Sequence, residues 1–149
     1  MKRRLYPPVW FLTLLVGQWV LLRNAPSEVE SLAAVRWFGW VIGGSGIALF
    51  AAAALAFRRY HTTILPFEDK SQRLIESGVF RMSRNPIYLA EAVILSGTAL
   101  LSGQLWPWGA VPIFIIGITL SVISWEEGAL RQRFGLQFEA YCRKTRRWL

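Results

Sequence analysis

Four apolar runs, residues 5–22, 37–57, 86–105 and 106–125, constrain this chain more than any other feature. Each is about 18–21 residues long, close to the ~20 that a helix needs to cross a ~30 Å hydrocarbon layer. Core helices of soluble proteins are shorter, about 11–12 residues, and amphipathic. Only 17% of residues are charged, against roughly 25% in soluble domains, yet the net charge is +8. A greasy chain whose few charges are mostly basic is not a disordered tail. Nor is it a soluble DNA-binding module, so nucleic acid is not an expected partner. One cysteine excludes a disulfide framework, and one histidine excludes a metal site of His and Cys alone, so no metal is expected. The fold class these features predict is an all-α integral membrane protein with four transmembrane helices, built as one membrane-embedded domain over residues 1–149.

Orientation follows from the cations, because basic residues stay on the cytoplasmic side. Three (Lys2, Arg3, Arg4) precede the first run and six (Arg58, Arg59, Lys70, Arg73, Arg81, Arg84) lie between the second and third. Six more (Arg131, Arg133, Arg143, Lys144, Arg146, Arg147) follow the fourth, which leaves Arg23 and Arg36 for the other face. Both termini are therefore expected in the cytoplasm of a multi-pass protein of the inner (plasma) membrane. The first run also has the look of a signal peptide, but Leu22-Arg23-Asn24-Ala25-Pro26 makes a poor cleavage site. A short turn at Ser102-Gly103-Gln104 predicts that the third and fourth runs form a helical hairpin. Gly39 and Gly43, four residues apart, suit a close helix–helix approach.

Two cytoplasmic segments hold the polar residues. Residues 58–85, with Thr62-Thr63, Pro66, Glu68-Asp69 and Ser77-Gly78, are too long for a mere connector and predict a structured loop with a helical turn or two. In residues 126–149, Leu130, Phe134, Phe138 and Tyr141 recur at helical spacing, predicting one amphipathic helix against the membrane surface or over a site.

Glu126-Glu127, at the cytoplasmic end of the fourth run, is the strongest local signal. Adjacent carboxylates repel, pay for desolvation and, if the helix ends there, also meet its negative pole. They read either as acids neutralised by Arg131 and Arg84 or as holders of a cationic or hydroxyl-rich ligand. Pro86 suits a first helical turn, Asn85 a cap with its side chain, and Arg84 beside a helix start either snorkels or holds an anion. Glu91, one turn inside the third run, is expected to pair with Arg84 or Arg81 or to line a cavity. His61 and Cys142 read as bystanders.

Taken in order, Gly78-Val79-Phe80, Arg84-Asn85-Pro86-Ile87-Tyr88, Glu126-Glu127-Gly128-Ala129-Leu130, Phe134-Gly135, Phe138, Tyr141 and Arg147 resemble the isoprenylcysteine carboxyl methyltransferases and the related membrane phospholipid methyltransferases. The resemblance covers residues 62–149. It implies an S-adenosylmethionine-dependent methyltransferase acting on a lipophilic acceptor from the bilayer, with a cytoplasmic cofactor pocket and no metal. Gln72, Arg73, Leu74, Ile75, Phe80, Asn85, Pro86, Ile87, Tyr88 and Glu126 would then contact the cofactor, with Glu127 behind Glu126 and Arg84 at the helix start. Tyr88, Glu91 and Arg147 are the catalytic candidates: Tyr88 facing the sulfonium, Glu91 as a base, Arg147 as a positive group. Two departures stand out. Asn85 replaces the commoner His, and Val122 replaces the Arg that faces substrate in the prenylcysteine enzymes, which weakens a carboxylate acceptor. The resemblance leaves room for an ethanolamine-lipid or small-thiol acceptor, and for a non-catalytic assembly factor on the same fold. A basic anchor for anionic lipid would explain the charges but not the motifs.

Overall fold

Every regular element among the described residues, 7–24, 33–60 and 73–149, is helical in this computed structural model. The expectations for Lys2-Arg3-Arg4, His61, Thr62-Thr63, Pro66, Glu68-Asp69, Lys70 and Gln72 lie outside those residues. Helix α1 spans Pro7–Asn24, α2 Ala33–Arg59 and α3 Pro86–Ser102. After a 3₁₀ turn at Trp106–Gly109 come α4 (Ala110–Ile118), a π-helical turn at Thr119–Ile123, and α5 (Ser124–Phe134). Helix α6 spans Leu136–Lys144.

Two helical runs, Ala33–Arg59 and Trp106–Phe134, are long and apolar enough to cross a membrane. Helices α1 and α3 are also apolar but have 18 and 17 residues, about 26 Å at 1.5 Å per residue. The third run thus stops three residues short of its expected end, where Gly103 adopts a left-handed φ of +66° and closes the helix. Large apolar side chains on α1, α2 and α4, among them Trp19, Trp37, Trp40, Ile47 and Ile116, point outward and are mostly exposed. In water such a surface would be an aggregation hazard; in lipid it is the ordinary outside of a helix.

The closest packing is between α2 and α3, and glycine makes it possible. A Cβ on Gly97 would lie 2.6 Å from the Cα of Gly43, and one on Gly39 or Gly46 would strike Leu101 or Ile94 at 2.8 Å. Small residues permit this approach where lipid supplies no hydrophobic drive. On the other side of α3, Tyr88, Ala92 and Leu95 pack with Phe114, Ile118, Val122 and Ile123, and α1 covers them with Trp10, Phe11, Leu14 and Leu15. Gln18 is the polar tie of that layer. Its Nε2 donates to the carbonyl of Pro107 at 2.8 Å, and its Oε1 accepts from Thr98 Oγ1 at 2.7 Å.

Two sequence expectations about the last segment need correction. The helix does not end at Glu126 but runs on to Phe134, so those acids meet no C-terminal pole. The single amphipathic helix is two helices, broken at Gly135, whose φ of +50° and ψ of −122° suit glycine alone. The periodic apolar residues are real, but they come from α5 (Leu130, Phe134) and α6 (Phe138, Tyr141) folded against each other.

Candidate functional site

The site is built where the start of α3 meets the first turn of α5. Pro86 opens α3 as expected, fixing the helix direction at no hydrogen-bond cost. Asn85 does not cap it with its side chain; the Asn85 N–H donates instead to Ser83 Oγ at 3.1 Å. Upstream of α5, the Thr119–Ile123 π turn, with Ser124 Oγ donating to the Thr119 carbonyl, adds one residue to the helical register. One extra residue rotates everything downstream by about 100°. The rotated register puts Val122 and Ile123 in the core and turns the two glutamates toward α3.

Those glutamates have different fates. Tyr88 Oη donates to Glu126 Oε1 at 3.0 Å, and among the described residues no cation pairs with Glu126. Glu127 is gripped from both sides. Arg84 Nη2 donates to its Oε1 at 2.8 Å, while Arg147 Nη2 reaches Oε2 at 2.6 Å and Nε reaches Oε1 at 3.1 Å. The hydrogen bond to Glu127 holds the Arg147 guanidinium above its ordinary range, so it stays charged. Arg131, expected to neutralise the acids, instead lies over the Phe138 ring at 5.9 Å. Glu91 forms no ion pair among the described residues either. It is 4% exposed within α3, and its Oε2 has no partner. The expected Arg84 or Arg81 partner is absent because Arg84 is already committed to Glu127.

Arg84 also gathers the end of the chain. Its Nη1 donates to the carbonyls of Cys142 (3.2 Å) and Thr145 (3.0 Å), and its backbone N–H donates to the Arg146 carbonyl (3.0 Å). The Arg147 carbonyl accepts from Ser83 Oγ at 3.1 Å and Asn85 Nδ2 at 3.0 Å. A buried Tyr141 donates its hydroxyl to the Phe80 carbonyl at 2.6 Å. Burial pushes its phenol up, so the donor proton stays in place.

A cavity opens beside Glu126. Arg73, Leu74 and Ile75 form one wall together with Phe80, and Arg84 to Tyr88 form another. Glu126 and Glu127 close its base, and Phe57, Leu130, Phe134, Phe138 and Tyr141 supply the remaining apolar surface. Phe57 stands edge-on to Phe80 with ring centroids 5.4 Å apart. The residues singled out from sequence at 73–75, 80, 84–88 and 126–127 therefore converge on one space. Glu91 and Arg147 lie outside its lining: the first is buried within α3 and the second sits behind Glu127. Sequence reasoning missed Phe57, whose only signal is its place at the basic end of α2. It read Leu130, Phe134, Phe138 and Tyr141 as a helix face without assigning them to the cavity.

Helices with apolar outer faces and a polar-lined cavity, as the described residues form them, define the class of membrane proteins with a site near one end of the helices. The family model for phospholipid methyltransferases matches residues 34–137, and the chain belongs to that family. It is thereby a membrane methyltransferase by descent. It is also 38% identical over 63 residues to a curated relative from Haemophilus influenzae, described as an uncharacterized protein; the match spans 42% of this chain and all of that one. No solved structure matches.

Proposed function

We propose that this protein crosses the bilayer four times, α3 and α4 forming a hairpin, with both termini and the cavity on the cytoplasmic side. There it transfers a methyl group from S-adenosylmethionine to a lipophilic acceptor arriving from the membrane. The observation that carries this reading is Glu126, a carboxylate lining the cavity that no cation among the described residues neutralises, while its neighbour has two. The donor supplies a methyl group on a cationic sulfonium, together with an ammonium, a carboxylate and ribose hydroxyls. The residues fit such a molecule: Glu126 accepts from hydroxyls or ammonium, and Arg73 at the rim pairs with a carboxylate. Phe80 and Tyr88 present aromatic faces to a cation or to adenine. Holding donor and acceptor in line is the main contribution asked of the protein.

An amine of a lipid headgroup suits the acceptor side better than a carboxylate. The arginines that would hold a carboxylate, Arg84 and Arg147, are consumed by Glu127, and position 122 is a buried valine. An amine must lose a proton before it attacks, and Glu126, on α5 at the cavity, is a carboxylate that no arginine among the described residues holds; Glu91, outside the cavity lining, would need to act through water.

The test is methyl transfer by the purified protein in lipid nanodiscs, with labelled donor and a panel of ethanolamine lipid, prenylcysteine and hydrophobic thiol. Label is expected in the amino lipid. Glu126→Gln should weaken donor binding by about tenfold or more, the scale of a lost hydrogen bond to a charged group. No label in any acceptor, or equal calorimetric heats for wild type and Glu126→Gln, rejects the reading.

A further inference from the structure

A dense polar junction borders the cavity, where residues 145–148 lie across the start of α3. Four backbone carbonyls of the chain end, those of Cys142, Thr145, Arg146 and Arg147, accept from Arg84, Ser83 or Asn85. Thr145 is buried, and Trp148 packs against the core cluster beside Tyr88. These contacts fix the backbone that carries the Arg147 side chain to Glu127.

We propose that Asn85 is a positioning residue, whose side-chain amide latches this strap and so holds Arg147 on Glu127. The chemistry of the contact assigns the role. A carbonyl oxygen only accepts, so position 85 must present a donor to it, which Asn85 does with its Nδ2. The Arg147 carbonyl takes that N–H and the Ser83 hydroxyl together, which fills both of its lone pairs. With the strap latched, Arg147 and Arg84 clamp Glu127 from opposite sides and lock the first turn of α5 to the start of α3. Tyr88, one turn into α3 from Arg84, and Glu126, the residue before Glu127, then stay aligned even when a ligand competes for their mutual hydrogen bond. The benefit to methyl transfer rests on the function proposed above; the latch itself does not.

The experiment therefore reads the strap directly. Amide hydrogen exchange of residues 142–149 is followed in the full chain in nanodiscs, with the α2–α3 seam as the internal control for folding. A parallel titration with S-adenosylmethionine follows donor binding. Asn85→His retains a planar N–H and is expected to keep the strap protected. Asn85→Leu and Asn85→Asp, which offer no donor, are expected to speed exchange in the strap about tenfold, the scale of one lost hydrogen bond. They should leave the seam unchanged and weaken donor binding. Unchanged strap protection in Asn85→Leu overturns the proposal, as does equal loss of protection in Asn85→His. Weakened donor binding with the strap still protected also overturns it, by making Asn85 a ligand contact. If wild type itself binds no donor, the methyltransferase reading falls while the exchange data still decide the latch.

Discussion

Helix α3 is held by two kinds of contact, one at each flank. Against α2 the seam is dry and made of glycine, with backbones so close that a single methyl group has no room at Gly97. At its start α3 is held by charge, with Arg84 and Arg147 sharing Glu127 and a row of carbonyls beneath them. In the membrane arrangement proposed above, the difference follows from the solvent at each place. Among lipid tails there is no hydrophobic gain from bringing helices together, so contact area and small residues must do it. Nearer water, charged groups are tolerated, and a buried carboxylate with three guanidinium hydrogen bonds becomes a rigid joint.

Breaking the charged joint should cost most. Glu127→Ala leaves Arg84, whose side chain is only 13% exposed, without its counter-charge. Loss of one partner of a buried pair costs about 3–5 kcal/mol. The low end is expected, because the Arg147 side chain is 38% exposed and water recovers part of its loss. Thermal unfolding in nanodiscs measures this, and a loss below about 1 kcal/mol would class the joint with ordinary surface pairs. The glycine seam comes next. Gly97→Ala should destabilise by about 1–3 kcal/mol through overpacking, read by the same unfolding assay. Gln18→Leu should cost about 1 kcal/mol, the usual worth of a hydrogen bond between membrane helices; no change would show that Thr98 and Pro107 find other partners. Smallest of all, Gly44→Ala has open space around it and should raise stability by roughly 0.5–1 kcal/mol through helix propensity. If Gly44→Ala is as damaging as Gly97→Ala, the seam does not discriminate by position and the contrast fails.

The site was partly legible in advance because several of its residues are near neighbours in sequence. Leu74 and Ile75, Phe80, and Arg84 to Tyr88 lie in one short stretch, so naming the stretch named a wall of the cavity. The acids were harder. Adjacent identical residues in the same helix look equivalent, yet successive positions differ by about 100° around the axis. Which one meets the arginines depends on the extra residue in the π turn at Thr119–Ile123. Asn85 was read as a side-chain cap because local capping is the default for that residue before a helix. Its actual partner, the Arg147 carbonyl, lies 62 positions away, and backbone carbonyls leave no mark in a sequence. Phe57 was missed for a similar reason: its partner Phe80 comes from another segment.

The sequence by itself determined that this chain makes apolar helices, that its cations gather in particular segments, and that Pro86 and Gly103 punctuate them; the break at Gly135 came only with the structure. Those are matters of hydrophobicity, local sterics and backbone freedom, each readable within a few residues. Only the tertiary structure decided that Glu127 is the joint held by Arg84 and Arg147, that Glu91 has no ion pair among the described residues, and that the chain end straps the start of α3. Such assignments depend on which helix face turns inward and on which distant carbonyl lies within about 3 Å, and those are properties of the packed molecule as a whole.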